Sequence, residues 1–422
     1  MPEKLVITGN FAAAYACKSA NVDVVAAYPI TPQSPVVEKI SEFVESGEMP
    51  DTQFICVESE HSAMAACVGA AEAGARVFTA SSANGLALMF ELLCWCAGAR
   101  LPAVVCIASR ALGAPWTVWT DHQDAISMRD TGFMHQFCET NQEIYDSVLM
   151  AYRIAEDPRV FLPMFVTYDG YLLSHTMMPV QIEDPEKVRD FLPPLKTHVD
   201  VGELGETRSV SAVIPPDITV RPEGNTPGYM EYRYAMQKAH EYAIDVIEEV
   251  NREFKVKFGR SYGNGIYTSY KIEDADILIF GIGSVASQSR MAVDQLRSEG
   301  IKAGLISLKL FRPFPVKHLR EIFTRVPLVV VFDRDVAYGY EGVLAYELKA
   351  ALYPCQNRPI IRSYIVGLGG RNIPTDTLTK AVKRAIKEKD DSSVQLDPHT
   401  DFLDLDLDRL GLSIEDMQKE AQ

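Results

Sequence analysis

Apolar positions in the first 170 residues fall in short unbroken runs rather than in alternation. Val22–Ala27, Phe54–Val57, Ala75–Ala80, Ala103–Ala108 and Val160–Thr167 each read as a strand covered on both faces. The stretches between them have helical character. Phe11–Ser19 is Ala-rich. A helix to about Val44 is expected to open with Thr31 as N-cap and Pro32 as its first residue. An Ala-rich run to Ala73, Leu86–Ala97 and Asn141–Ala155 complete the set. Strand and helix alternate throughout, which predicts a parallel sheet with helices on both faces. Ser109–Asp124 interrupts the pattern as a long irregular segment rich in polar and aromatic groups, and such segments are usually functional.

From Pro179 to about Asn225 the periodicity fades. Pro193-Pro194, Pro215-Pro216 and Pro222 mark a meandering linker. Tyr229–Phe258 then reads as one charged amphipathic helix. A second α/β unit opens at Ala275-Asp-Ile-Leu-Ile-Phe-Gly-Ile-Gly-Ser284, with further strands at Ala303–Leu308, Leu328–Phe332 and Ile360–Val366. The predicted organisation is a first domain over residues 1–262 that includes the linker and long helix, a second over 263–389, and an acidic tail over 390–422. In the tail, Leu403, Leu405 and Leu407 alternate with Asp as in a half-buried strand, which suits either an arm docked on a partner or a solvated segment.

Composition narrows the class. A chain of 422 residues with 47% hydrophobic and 23% charged residues is globular and long enough for more than one domain. The net charge of −16 argues against nucleic acid and anionic membrane surfaces as partners. No apolar run has the length of a membrane span, and the N-terminus lacks a basic-apolar leader, so a cytoplasmic location is expected. The eight cysteines include no Cys-x-x-Cys pair. They read as reduced, mostly buried thiols, and no zinc or iron–sulfur ligand set is expected in this chain.

Two sites invite chemistry. Gly281-x-Gly283 with Ser284 after a strand resembles a phosphate loop. It lacks the third glycine and the later acidic ribose partner, so a tight strand-to-helix turn is the better reading. The other site is Phe54–Ala66, a strand read as buried that breaks into Glu58, Ser59, Glu60 and His61 before a helix. Strand ends of an open α/β sheet line its ligand crevice. A partly desolvated carboxylate there bonds a ring nitrogen strongly, or simply favours the helix N-terminus through its dipole.

Several motifs in order carry a resemblance. They are Tyr28-Pro-Ile-Thr-Pro32, Glu58-Ser-Glu60, the Ser81–Gly85 turn, Ser109-Arg110 and Arg129-Asp-Thr-Gly132, then the Ala275–Ser284 strand and turn, Phe311-Arg-Pro-Phe-Pro315 and Gly367-Leu-Gly-Gly-Arg371. Together, over about Leu5 to Ala385, they resemble the α subunit of the pyruvate:ferredoxin oxidoreductase family, thiamine-diphosphate enzymes that oxidise 2-oxoacids. The resemblance implies a thiamine-diphosphate-binding-like parallel sheet domain followed by a transketolase-C-terminal-like α/β domain. It implies that Glu60 hydrogen-bonds N1′ of the cofactor and favours its imino tautomer. Glu58 is set aside as lying nearer the strand interior. Tyr28, Pro29 and Ile30 would touch the cofactor, while Arg110 and Thr31 would hold the substrate carboxylate. Asp124, Arg129 and Asp130 are read as a structural ion network. Trp116 and Trp119 are read as core residues of their loop, with walls of a pocket for an aromatic 2-oxoacid such as phenylglyoxylate as the alternative.

The family's Gly-Asp-Gly…Asn motif for diphosphate and Mg²⁺ is missing here. The resemblance therefore implies a shared site. A β subunit would bring the diphosphate and Mg²⁺ motif, γ and ferredoxin-like subunits the iron–sulfur clusters, and ferredoxin or another acceptor would take the electrons. The implied reaction is oxidative decarboxylation of a 2-oxoacid, pyruvate by default, with coenzyme A to acyl-coenzyme A and CO₂. A non-catalytic scaffold subunit and a stand-alone thiamine decarboxylase are the competing readings. Retention of Glu60, Thr31 and Arg110 speaks against the first, and the missing motif against the second.

Overall fold

The computed structural model describes residues 2–196, 198–200, 207–209, 229–390 and 401–413. Pro215, Pro216 and Pro222 of the expected linker lie outside the described residues, as does most of the tail. The chain forms two compact units, Met1–Tyr267 with Lys309–Pro315, and Thr268–Leu308 with Val316–Gln422.

The first unit runs β1 (Glu3–Ile7), α1 (Gly9–Ser19), β2 (Val24–Ala27), α2 (Ser34–Glu45), β3 (Gln53–Cys56), α3 (Glu60–Glu72), β4 (Val77–Ser81), α4 (Ala83–Gly98), β5 (Val104–Ser109), α5 (Gln123–Ser127), β6 (Met134–Phe137), α6 (Asn141–Ala155) and β7 (Met164–Asp169). After these come β8 (Met178–Ile182), α7 (Pro185–Phe191), the short strands β9 (His198–Asp200) and β10 (Thr207–Ser209), and α8 (Tyr229–Phe258). Its main sheet has the order β14-β6-β7-β5-β4-β2-β3, where β14 is Leu310–Arg312. All neighbours pair in parallel except β14 with β6. Strands β4, β5, β6 and β7 are buried along their whole length, which accounts for their unbroken apolar runs. From β2 the chain adds β3 on one side and β4 on the other. The strand order thus reverses between β2 and β4, the place where open sheets bind ligands outside the strands' carboxyl ends.

Three sequence expectations change here. Strand β3 is an edge strand rather than a buried one. Among the described residues it pairs only with β2, and Ile55 is 40% exposed. An apolar run reports that a strand is hydrophobic, not how many neighbours it has. Helix α2 starts later than expected, at Ser34 with Gln33 as N-cap, because Ile30–Gln33 forms its own turn in which Ile30 O accepts from Gln33 N at 2.8 Å and Ser34 N at 3.0 Å. Thr31 is therefore not the cap. Lys309–Pro315, placed by the sequence with the second domain, lies in the first unit. There Lys309 Nζ, fully buried, bridges Glu139 and Glu143 at 2.7 Å each. A buried ammonium persists only when paired in this way.

The second unit holds β11 (Tyr267–Tyr270), β12 (Ile277–Ile282), α9 (Gly283–Ser298), β13 (Ala303–Leu308), α10 (Val316–Phe323), β15 (Leu328–Asp333), α11 (Val343–Leu352), β16 (Ile360–Ile365), α12 (Thr375–Asp390), β17 (Asp401–Phe402) and α13 (Leu407–Leu410). The sheet order is β11-β13-β12-β15-β16-β17. The Gly281–Ser284 turn is occupied by the protein itself, since Arg334 Nη1 donates to Ser284 Oγ at 2.8 Å. Part of the acidic tail, expected on a partner or in solvent, instead adds to this unit. Strand β17 pairs in parallel with β16, and Leu403 packs on the core around Tyr364 and Leu378. Leu403, Leu405 and Leu407 are half-buried and their Asp neighbours exposed, so the alternation was real but its counterpart is this chain.

Among the described residues no helix is long and apolar enough to cross a membrane. The cysteines are free thiols, five of them buried.

Candidate active site

Five strand ends of the first sheet meet at the reversal between β2 and β4. Glu60 is the first residue of α3, and its N-cap Ser59 accepts the Ser62 N–H at 3.2 Å, which ends the strand and starts the helix on the spot. Its side chain is buried, at 7% exposure, against the turn that opens α4. A Cβ on Gly85 would stand 2.7 Å from Glu60 Cγ and Oε1 and 2.4 Å from Ser81 Oγ. Only glycine lets the two turns approach so closely. Among the described residues Glu60 accepts no hydrogen bond, so its lone pairs remain for a ligand. Glu60 is thus placed both to favour the α3 dipole and to offer a buried acceptor.

Glu58 points the other way. It is fully exposed and accepts from Ser62 Oγ at 2.6 Å, a bond that holds its carboxyl below the usual range. Set aside as lying nearer the strand interior, Glu58 in fact follows an edge strand and faces solvent. His61 is half-exposed, 3.9 Å from Glu91.

Arg110 follows β5. It is 8% exposed, its Nε is buried without a partner, and burial draws its pKa down while Asp124, Tyr171 and Glu60 push it up. The Tyr28–Pro32 turn after β2 lies at the same level. Asn10 Nδ2 donates to Pro32 O at 2.7 Å and Asn10 Oδ1 accepts from Tyr168 at 2.9 Å, so α1 and β7 hold the turn. Pro32 lies against Gly170, where an added Cβ would be 2.9 Å from its ring, and Gly170 N donates to Ser109 O at 2.9 Å. Within this turn Thr31 and Pro29 are exposed, and Tyr28 and Ile30 half-buried. The structure thus brings Glu60, Arg110 and the Tyr28–Thr31 turn to one end of one sheet.

The residue that ties these turns together is one the sequence offered only as part of an ion network. Asp124, fully buried, accepts from Ser109 Oγ at 2.5 Å and Ala125 N at 2.7 Å through Oδ1, and from Ala83 N at 2.7 Å and Arg110 N at 3.1 Å through Oδ2. Burial pushes its carboxyl up to about 6 against the pull of those donors. Its own bonds run to Ser109 and backbone amides rather than to Arg129, which lies 3.6 Å from Asp130, so Asp124 is not the ion-pair partner expected. No spacing signals such a residue, because its partners are mostly backbone groups from distant turns. A second buried pair, His122 Nε2 with Asp169 Oδ1 at 2.6 Å, anchors the same loop together with Thr120.

Trp116 and Trp119 are not core residues. They are 73% and 52% exposed and, with Arg110, line a cleft of about 320 Å³. Trp119 packs on Tyr171 at 4.8 Å between ring centroids. The loop is anchored instead by its polar residues Thr120, His122 and Asp124, which leaves the tryptophans on its outside.

Residues 15–252 match the family described as pyruvate flavodoxin/ferredoxin oxidoreductase, thiamine diphosphate-binding, and residues 275–378 match pyruvate:ferredoxin oxidoreductase core domain II. Ketoisovalerate oxidoreductase subunit VorA of Pyrococcus horikoshii is 48% identical over 387 residues, covering 92% of this chain and 94% of that one. Pyruvate synthase subunit PorA of Methanocaldococcus jannaschii is 44% identical over 397 residues, covering 93% and 98%. Among solved structures, 2-oxoglutarate:ferredoxin oxidoreductase from Magnetococcus marinus superposes with a TM-score of 0.67 at 20% identity, covering 91% of this chain and 65% of that one. A split-gene transketolase gives 0.53 at 15% identity, covering 91% and 99%. Both are likenesses of fold. With sequence relatives this close over nearly its full length, the chain belongs to the 2-oxoacid:ferredoxin oxidoreductase family, among its VorA and PorA α subunits.

Proposed function

We propose that this chain supplies the aminopyrimidine-binding and substrate-carboxylate-binding half of a thiamine-diphosphate site that oxidises a small aliphatic 2-oxoacid. The observation that carries the reading is that two buried, oppositely charged side chains, Glu60 and Arg110, present their polar atoms at the strand reversal of one sheet, Arg110 Nε without a partner. Those atoms suit the group: Glu60 would accept from the protonated N1′ edge, and Arg110 would face an anion. Thiamine diphosphate, when bound, supplies the electron sink that decarboxylation of a 2-oxoacid requires.

The chain's own residues then have separate tasks. The Glu60 carboxylate orients the ring and holds a proton at its nitrogen in a partly dry environment, where charge-assisted hydrogen bonds are strong. Tyr28, Pro29 and Ile30 wall the ring from the β2 side. The Arg110 guanidinium binds the substrate carboxylate, with the exposed Thr31 hydroxyl as a second donor. Trp116 and Trp119 stand over the entrance beside Arg110 and limit access of water.

The diphosphate and Mg²⁺ fall to another chain. The sequence has no Gly-Asp-Gly, and the described residues contain no cluster of His, Cys, Asp or Glu arranged to hold a metal. A β-type subunit would complete the site, and γ-type and ferredoxin-like subunits would carry the clusters through which electrons leave, the acyl group passing to coenzyme A. The relatives' names give ketoisovalerate and pyruvate, both aliphatic, and nothing favours an aromatic substrate. A cytoplasmic location agrees with this chemistry. The test is turnover of the assembled complex on a panel of 2-oxoacids with coenzyme A and a ferredoxin-type acceptor. Ketoisovalerate or pyruvate should give the highest kcat/KM. A complex that turns over no 2-oxoacid would overturn the reading.

A further inference from the structure

We infer that Asp124 is a positioning residue that sets the Arg110 cation and the Glu60 anion of this site in register by clamping the two turns that carry them. The inference rests on the proposed role of Arg110 and Glu60 as ligand-binding groups.

The geometry is that of a four-way staple. One carboxylate oxygen accepts from Ser109 Oγ and Ala125 N, the other from Arg110 N and Ala83 N. The four donors come from three parts of the crevice. Ser109 and Arg110 end β5, Ala83 opens α4, and Ala125 lies in α5. Helix α4 has no cap of its own. The Ser82 side chain is turned away to donate to Ala108 O at 2.7 Å, so the first amide of the helix is satisfied by Asp124, 41 residues downstream. Ala83 also sits at φ +43°, a left-handed conformation that a side-chain-bearing residue keeps only where its surroundings enforce it.

That helix start is the surface on which Glu60 rests. Two residues beyond Ala83, Gly85 leaves no room for even a methyl group between itself and Glu60. Asp124 is therefore one hydrogen bond from the backbone of the cation and one hydrogen bond plus two residues from the seat of the anion. It also places a negative charge beside the buried guanidinium, offsetting the cost of keeping Arg110 charged with a free Nε. Other buried carboxylates of the unit pair with cations: Glu139 and Glu143 with Lys309, and Asp146 with Arg260.

The test is a double-mutant cycle in the assembled complex, with KM for the 2-oxoacid, kcat and thiamine diphosphate affinity measured for wild type, Asp124→Asn, Arg110→Ala and the double variant. Asp124→Asn keeps the volume but turns two donors toward groups that are themselves donors. KM should rise on the order of tenfold with cofactor affinity little changed, and the effect should vanish in the Arg110→Ala background, since contacting residues are non-additive. Asp124→Glu should rescue only in part. A KM effect of equal size with and without Arg110, or no KM effect while Arg110→Ala has one, would overturn the inference. If Arg110→Ala itself leaves KM unchanged, the placement of the substrate carboxylate fails instead. Should Asp124→Asn not assemble, Ser109→Ala removes a single donor to the staple and is read by the same two outcomes.

Discussion

Glu60 and Gly85 show how narrowly the site is built at the level of single residues. Glu60→Gln keeps the shape and removes the anion. The complex should still bind thiamine diphosphate, while turnover falls roughly 10²–10⁴-fold, the scale of losing a proton-handling group. Near-normal turnover would shift attention to other carboxylates, although Glu58 is a poor substitute now that it is seen in solvent. Gly85→Ala makes a complementary test that leaves every charged group in place. Its methyl would fall 2.4 Å from Ser81 Oγ and 2.7 Å from Glu60 Oε1, so the carboxylate must move. Overpacking of this kind costs about 1–3 kcal/mol in stability. Turnover in the complex should fall by more than the stability loss explains, and a fully active Gly85→Ala would show that Glu60 tolerates displacement. For Arg110, loss of the guanidinium should raise KM for the 2-oxoacid and spare cofactor binding. Lysine should rescue in part only, because it keeps the charge without the planar fork.

Elements differ in how much of them the sequence revealed. Helix α8 emerges with the expected ends because it has a long stripe of apolar residues and a charged face, and α6, buried on nearly all sides, also ends where expected. Strand β6 was missed. Met134-His-Gln-Phe137 has two polar residues in four and carries no strand signal, yet all four are buried, since His135 Nε2 pairs with Thr167 Oγ1 at 2.7 Å and Gln136 Nε2 donates to Ser147 Oγ at 3.3 Å. Burial lowers the His135 pKa to about 3, with Arg312 and His122 adding repulsion. The folded chain therefore leaves this imidazole neutral between pH 6.5 and about 3, where the unfolded chain protonates it, and stability is lost as pH falls through that window. Between pH 7 and 5 the loss from this one group is about 2 kcal/mol. Denaturant unfolding of His135→Phe should show a pH dependence shallower by that amount, whatever its offset at pH 7. An unchanged slope would mean that the imidazole is protonated in the folded state. The tail gives a second element-scale test. Asp401 meets Arg384 at 3.1 Å and Arg362 at 3.4 Å, and Leu403 covers core residues beside β16. Deleting residues 391–422 should destabilise the second unit by about 1–3 kcal/mol, mainly through the lost apolar cover. Identical melting of the truncated and full chains would return the tail to the role of an arm for another subunit.

For the molecule as a whole, the alternation of elements was enough to give the fold class, because parallel strands buried on both faces leave a distinct apolar signature. Its segmentation was less legible. Nothing in Phe311-Arg-Pro-Phe-Pro315 announces that a piece of chain embedded in the second α/β pattern adds a strand to the first sheet, since that depends on tertiary pairing with β6. The site divides the same way. Glu60, Thr31 and Arg110 were visible as motif residues at strand ends, whereas Asp124 acts through backbone amides, which no sequence pattern records. The proposed half-site turns on what the sequence lacks. In the proposed reading the chain supplies the carboxylate and the cation of a thiamine-diphosphate site, while its sequence has no Gly-Asp-Gly for the diphosphate and no cysteine set for a cluster. The most direct measurement is CO₂ release from ketoisovalerate or pyruvate by the purified chain supplied with thiamine diphosphate, Mg²⁺ and coenzyme A, run beside the same chain reassembled with its partner subunits. The chain alone should be colourless and inactive, with activity appearing on reassembly. Decarboxylation by the chain alone would contradict the shared site.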